Sequence, residues 1–95
     1  MFISEKYFLK PGNQTCASKT KIDNMDECKL ASGQKNLAFG YSITKGDYPK
    51  GCFLVKDTPY VFWNTHISGS PAAEAHPICK SGEWFKLIPT NLLYA

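Results

Sequence analysis

Residues 47–56 read DYPKGCFLVK, and the rest of the chain can be placed by how it reaches this stretch. Pro49 and Gly51 are turn formers, and they deliver Cys52 directly into the apolar run Phe53-Leu54-Val55. A cysteine at that place is predicted to sit inside a strand as a cross-link point. Asp57-Thr58-Pro59 then turns the chain into Tyr60-Val61-Phe62-Trp63, and the two runs are predicted to pair as a hairpin. Upstream, residues 37–44 follow a period of two. Leu37, Phe39, Tyr41 and Ile43 fall on one face, with Ala38, Gly40 and Ser42 on the other, which predicts a half-buried strand.

Residues 22–32 carry the helix signal. Asn24 is placed to cap it, Glu27 stands three positions later as in a capping box, and Asp26 adds negative charge at the positive end of the helix dipole. Met25, Cys28 and Ala31 share the inward face, Leu30 lies at its edge, and Gly33 is placed to end the helix in a left-handed cap. Before the helix, Lys6-Tyr7-Phe8-Leu9 reads as an edge strand closed by Pro11-Gly12. After the hairpin, residues 66–77 read as a long loop, and Ile78-Cys79-Lys80 returns briefly to extended structure. Beyond Gly82 comes EWFKLIPTNLLYA, far more apolar than a free terminus, with Pro89 forbidding one uninterrupted helix.

At 95 residues the chain is one domain whose core alone gives thin stability, since a chain of this size buries only roughly 60–65% of its unfolded surface. Four cysteines, an even number in a short chain, fit two disulfides and an oxidising compartment, an organelle lumen or the exterior. Net charge is +3, arginine is absent and the 11 lysines are scattered, a poor composition for reading nucleic acid. No apolar run reaches the length of about 18 residues that crosses a bilayer, so no transmembrane segment is expected. Glu5 and Lys6 stand where a signal peptide would need its apolar stretch, so if the chain works in an oxidising compartment, its targeting segment is expected to have been removed or to lie outside this sequence.

A helix bearing Glu27-Cys28, then Ala38-Phe39-Gly40-Tyr41, then Gly51-Cys52-Phe53-Leu54 resembles PAN/apple modules. The longer string Tyr48-Pro49-Lys50-Gly51-Cys52-Phe53, Val61-Phe62-Trp63-Asn64-Thr65, Gly69 and Ile78-Cys79-Lys80 looks like a small cysteine module of extracytoplasmic proteins of dinoflagellates and other marine algae. The resemblance covers about residues 15–80, and the chain lacks the second helix cysteine of apple domains and its partner. It implies a helix packed on a curved antiparallel sheet and tied to it by a disulfide. The fold expected is therefore α+β, one short helix on a small curved antiparallel sheet stapled by two disulfides, over residues 1–82, followed by an apolar tail, 83–95. Of the three pairings that four cysteines allow, we expect Cys28 with Cys52, tying the inward helix face to the central strand, and Cys16 with Cys79, tying the two ends.

Functional candidates are few. The cysteines are separated by 11, 23 and 26 residues with no C-x-x-C, so neither a metal nor another cofactor is expected. Cys52 in its apolar run has no cation near it in sequence to lower its pKa, so a nucleophilic pair with His66 or His76 is not expected either, and no catalytic residue is assigned. The carboxylates Asp23, Asp26 and Glu27 are explained by capping. Tyr48, Tyr60, Trp63, Asn64 and His66 form a candidate carbohydrate platform of rings with amide and imidazole donors, against the simpler reading of core packing. Asn13-Gln14-Thr15 is an N-glycosylation sequon, meaningful if the chain passes through the secretory pathway. Trp84, Phe85, Leu87, Ile88, Leu92, Leu93 and Tyr94 are candidates for partner docking, or alternatively fold back to complete the core. The expected function is a non-enzymatic structural or protein-interaction module, in one version an accessory subunit on the lumenal side of a membrane complex, the plastid thylakoid included. The alternative is a carbohydrate-binding module using the aromatic hairpin.

Overall fold

A computed structural model describes residues 6–81. The elements run β1 (Tyr7–Leu9), a 3-10 turn (Ser18–Thr20), α1 (Met25–Gln34), β2 (Ala38–Ile43), β3 (Pro49–Val55), β4 (Tyr60–Gly69) and β5 (Ala75–Lys80). The apolar tail 83–95 lies outside the described residues.

The helix begins where its cap requires. Asn24 is extended, and its side chain accepts the N–H of Glu27 at 2.8 Å, satisfying one of the free donors of the first turn. Its end differs from the sequence expectation. Gly33 lies within the helix, and it is Asn36, at φ 59°, that takes the left-handed position. Leu37 N–H returns to the Ser32 carbonyl and Asn36 N–H to that of Gly33, a Schellman pair in which asparagine replaces the usual glycine. Cys28, Ala31 and Ser32 are buried, while Leu30 is exposed.

The strands form one sheet in the order β1-β5-β3-β4-β2. Three of its seams are antiparallel, but β2 runs parallel to β4, so the sheet is mixed where an antiparallel one was expected. The reason lies in the connection between β2 and β3. Those strands are not neighbours; β4 lies between them, so the chain leaving Ile43 must cross the path of β4 before re-entering the sheet at Pro49. Asn64, a β4 residue with no exposed surface, makes the crossing sustainable. Its Nδ2 donates to the carbonyls of Lys45 (2.7 Å), Tyr48 (3.0 Å) and Pro49 (3.0 Å), and its Oδ1 accepts the N–H of Lys45 (2.9 Å) and His66 (3.2 Å). One amide side chain thus takes over the backbone pairing that a hairpin would have supplied.

The long loop expected over residues 66–77 is mostly strand. β4 continues to Gly69, which pairs with Pro49, and Ala75 already belongs to β5, leaving only residues 70–74 as connection. Gly69, at φ 65°, lies where a Cβ would run into the backbone of Tyr48 and Lys50. The small residues that looked like loop composition there allow two backbones to approach closely.

α1 packs against β2, β3 and β4. The core cluster holds Tyr7, Ile22, Cys28, Ala31, Cys52, Val61 and Ile78, with Leu37, Phe39, Leu54 and Trp63 packed against it. Cys28 bridges to Cys52 inside this cluster, and Cys16 bridges to Cys79, the expected pairing. By loop-closure entropy these bridges, spanning 24 and 63 residues, stabilise singly by about 3.5 and 4.3 kcal/mol. They indicate an oxidising, extracytoplasmic environment.

Replacing Asn64 with Ala removes the partner of the Lys45 and Pro49 carbonyls and of two N–H groups, while the Tyr48 carbonyl keeps the Ser70 N–H, and is expected to lower stability by about 2–4 kcal/mol in denaturant unfolding. Asn64→Asp keeps the shape but turns an acceptor towards those carbonyls. At neutral pH it should be less stable than Asn64→Ala.

Candidate functional site

Alternation along β3 and β4 divides the aromatic side chains between two faces. Cys52, Val61 and Trp63 point to the helix side, where they belong to or pack against the core cluster. Phe53 and Phe62, cross-strand partners one residue out of phase with them, point to the other side. There Tyr48 stacks on Phe53 with ring centroids 5.3 Å apart, and Tyr41 meets Phe62 edge-on at 5.0 Å. These rings, with Ile43, Lys45 and Val55, line a shallow hollow of about 140 Å³.

The candidate carbohydrate set is consequently not brought together. Tyr48 and Tyr60 belong to the face away from the helix, and Trp63 to the opposite one. Asn64 is enclosed, with both ends of its amide committed to backbone, so it has nothing to offer a ligand. His66 is half-buried and also structural: its Nδ1 accepts the N–H groups of Ser68 (3.2 Å) and Gly69 (2.9 Å), which shapes the end of β4, and its ring lies over Gly46 of the crossing turn. His76 sits with Nδ1 3.1 Å from the Lys10 carbonyl. Asn13 is exposed in a turn at φ 64°, with Gln14 and Thr15 exposed beside it. Among the described residues no group of three or more metal-ligating side chains converges, and no helix is long and apolar enough to cross a membrane.

A polar cluster gathers at the N-terminal end of α1. The Lys80 ammonium is 3.0 Å from Asp23 and 3.8 Å from Glu27, and the Tyr7 hydroxyl donates to Glu27 at 3.1 Å. Glu27, expected to reach back to the helix start, is turned to these partners instead. Burial, then the Glu27 charge and hydrogen bond, push the Tyr7 phenol up to about 12. The hydrogen bond to Asp23 raises the Lys80 ammonium above its ordinary value. The cluster ties β1, β5 and the helix together, and capping of the helix accounts for only part of it.

A cleft of about 530 Å³ lies where no sequence motif marks a site. Its origin is a seam that opens. β5 pairs with β3 only over Phe53–Val55, then leaves it at Pro77 and pairs with β1. Cys79 has Phe8 on one side and Lys21 on the other, so the segment through Lys21 lies on the side of β5 that faces β3. The cleft therefore has two backbone walls, Pro49–Cys52 and Lys21–Asp23, with Trp63, Ile67 and Pro71 also lining it. Sequence reading missed it because the walls come from distant stretches. The available signal was Pro77, a residue without an N–H directly before Ile78-Cys79.

Comparison with protein families, with curated proteins and with solved structures finds no match for this chain.

The Tyr7 phenol has a folded pKa of about 12 against an unfolded value of about 10, so its contribution to stability is complete below about pH 10 and is lost as pH rises through about 12. An ultraviolet absorbance titration should show a late tyrosine ionisation near pH 12 that Tyr7→Phe removes. At neutral pH, His66→Ala is expected to cost about 1–2 kcal/mol in denaturant unfolding, because two N–H groups lose their acceptor.

Proposed function

We propose that this chain is a non-enzymatic protein-interaction module, an accessory subunit working in an oxidising lumen beside a membrane-embedded complex, with the plastid thylakoid lumen among the settings that fit. The observation that carries this reading is the apolar character of the residues that follow the last staple. The described cluster and both disulfides lie within residues 7–79, so the seven large apolar side chains Trp84, Phe85, Leu87, Ile88, Leu92, Leu93 and Tyr94 all follow the last staple. Apolar residues in that number call for burial, and a partner surface supplies it. The surface of the sheet adds to the apolar area on offer, since Tyr41 is 64% and Tyr60 51% exposed. All four cysteines are engaged in bridges, which leaves the cysteine chemistry to stability. A helix tied to a sheet by Cys28–Cys52 also agrees with the arrangement that the resemblance to PAN/apple modules implies.

Truncation after Gly82 tests the docking role. The shortened chain should keep its melting temperature and, in native purification, separate from the assembly that retains the full chain. A fall in stability of several kcal/mol would mean that the tail completes the core, and would overturn the docking role.

A further inference from the structure

We propose that the cleft between β3 and the Lys21–Asp23 segment is a binding slot for an extended peptide of a partner protein, one that carries an apolar anchor next to an acidic residue. The inference goes beyond the docking of residues 83–95 and shares with it only the premise that the ligand is a protein. The first argument is the shape of the gap. β3 pairs with β4 on one side from Pro49 to Leu54, with a register shift between Pro49 and Gly51, but on the other its register with β5 covers Phe53–Val55 and not Gly51 or Cys52. At that level no described strand pairs with β3 on this side, Gly51 and Cys52 lie at the buried floor of the cleft, and the next described extended backbone is the one through Lys21, bridged to Cys79. A peptide entering the slot meets backbone on both sides, the arrangement in which added strands are recognised by main-chain hydrogen bonds.

Size and chemistry agree. A volume of about 530 Å³ lies within the range of roughly 300–1,000 Å³ typical of ligand sites. Trp63 is half-buried and Ile67 is 84% exposed, and with Pro71 they offer an apolar side-chain subsite whose outer wall is free of protein cover. Charge decides the remaining feature. Lys21 and Lys50 line the cleft as exposed residues, and neither forms an ion pair with a described residue. Asp23, the one carboxylate in the lining, is already held by Lys80 at 3.0 Å. The slot is therefore cationic and complements a carboxylate. Cys16 and Cys52, one from each disulfide, are among the lining residues, so both bridges stiffen the chain around the slot and much of the ordering cost of binding falls on the peptide.

The test uses the oxidised full chain, panned against a phage-displayed library of random peptides, with the enriched sequences synthesised and titrated by fluorescence anisotropy. Enriched peptides should combine apolar, strand-forming residues with Asp or Glu. Their binding should weaken about tenfold or more in both Ile67→Asp and Lys50→Glu, and should be unchanged in Tyr41→Ser on the far face. Ile67 and Lys50 are exposed, so both variants are expected to fold, and the melting temperature checks this; if one does not, the other still reads the slot. Amide resonances of Lys50, Gly51 and Cys52 should shift on binding. Absence of enrichment, or binding indifferent to both cleft variants, would overturn the proposal. So would binding of a neutral oligosaccharide array that Ile67→Asp abolishes, which would reassign the cleft to sugars. None of these failures touches the docking of residues 83–95, which the truncation reads separately.

Discussion

The amide of Asn64 is the contact on which the topology depends. A short turn joins β2 to β3, and such turns ordinarily make hairpins between neighbours; here the turn passes across β4, and backbone groups of Lys45 and Pro49 find their partner in a side chain. Asn64 supplies two donor hydrogens and an acceptor at the one point of β4 that lies under the crossing. A carboxylate would lack the donors, and an apolar residue would lack both. The parallel pairing of β2 with β4 follows from that crossing.

Covalent staples complete what so small a core cannot. Among the described residues the core gathers around Cys28 and Cys52, and one α-helix covers the sheet from one side. Cys28–Cys52 fixes the helix to β3, and Cys16–Cys79 fixes the segment before the helix to β5. Between them lies the region where β3 and β5 part.

The two faces of the sheet divide the chemistry of the chain. Adjacent residues of one strand point in opposite directions, so the run Tyr60-Val61-Phe62-Trp63 sends Val61 and Trp63 into the helix-facing core and Tyr60 and Phe62 to the other surface. A cluster of aromatic residues in sequence is thereby two separate surfaces in space. The lysines behave in the reverse manner: scattered along the chain, Lys21 and Lys50 meet across one cleft.

Local signals in the chain were sufficient for the elements and for the staples. Asn24 before an apolar-periodic stretch begins the helix, Cys28 falls on its inward face, and Cys52 follows a turn into an apolar strand, so the pairing of the bridges was legible. The helix end was misread at Gly33 because glycine and asparagine both adopt the left-handed cap, and only the packing of Leu37 against the core chooses Asn36. The extent of β4 was misread because Ser68 and Gly69 are loop formers by composition, yet the imidazole of His66 and the close approach of Tyr48 and Lys50 hold them in the sheet. Strand order, the parallel seam and the cleft were decided by tertiary structure alone. Each depends on which backbones lie side by side, and a side-chain amide that satisfies a turn from a strand more than a dozen residues away leaves no periodic trace along the chain.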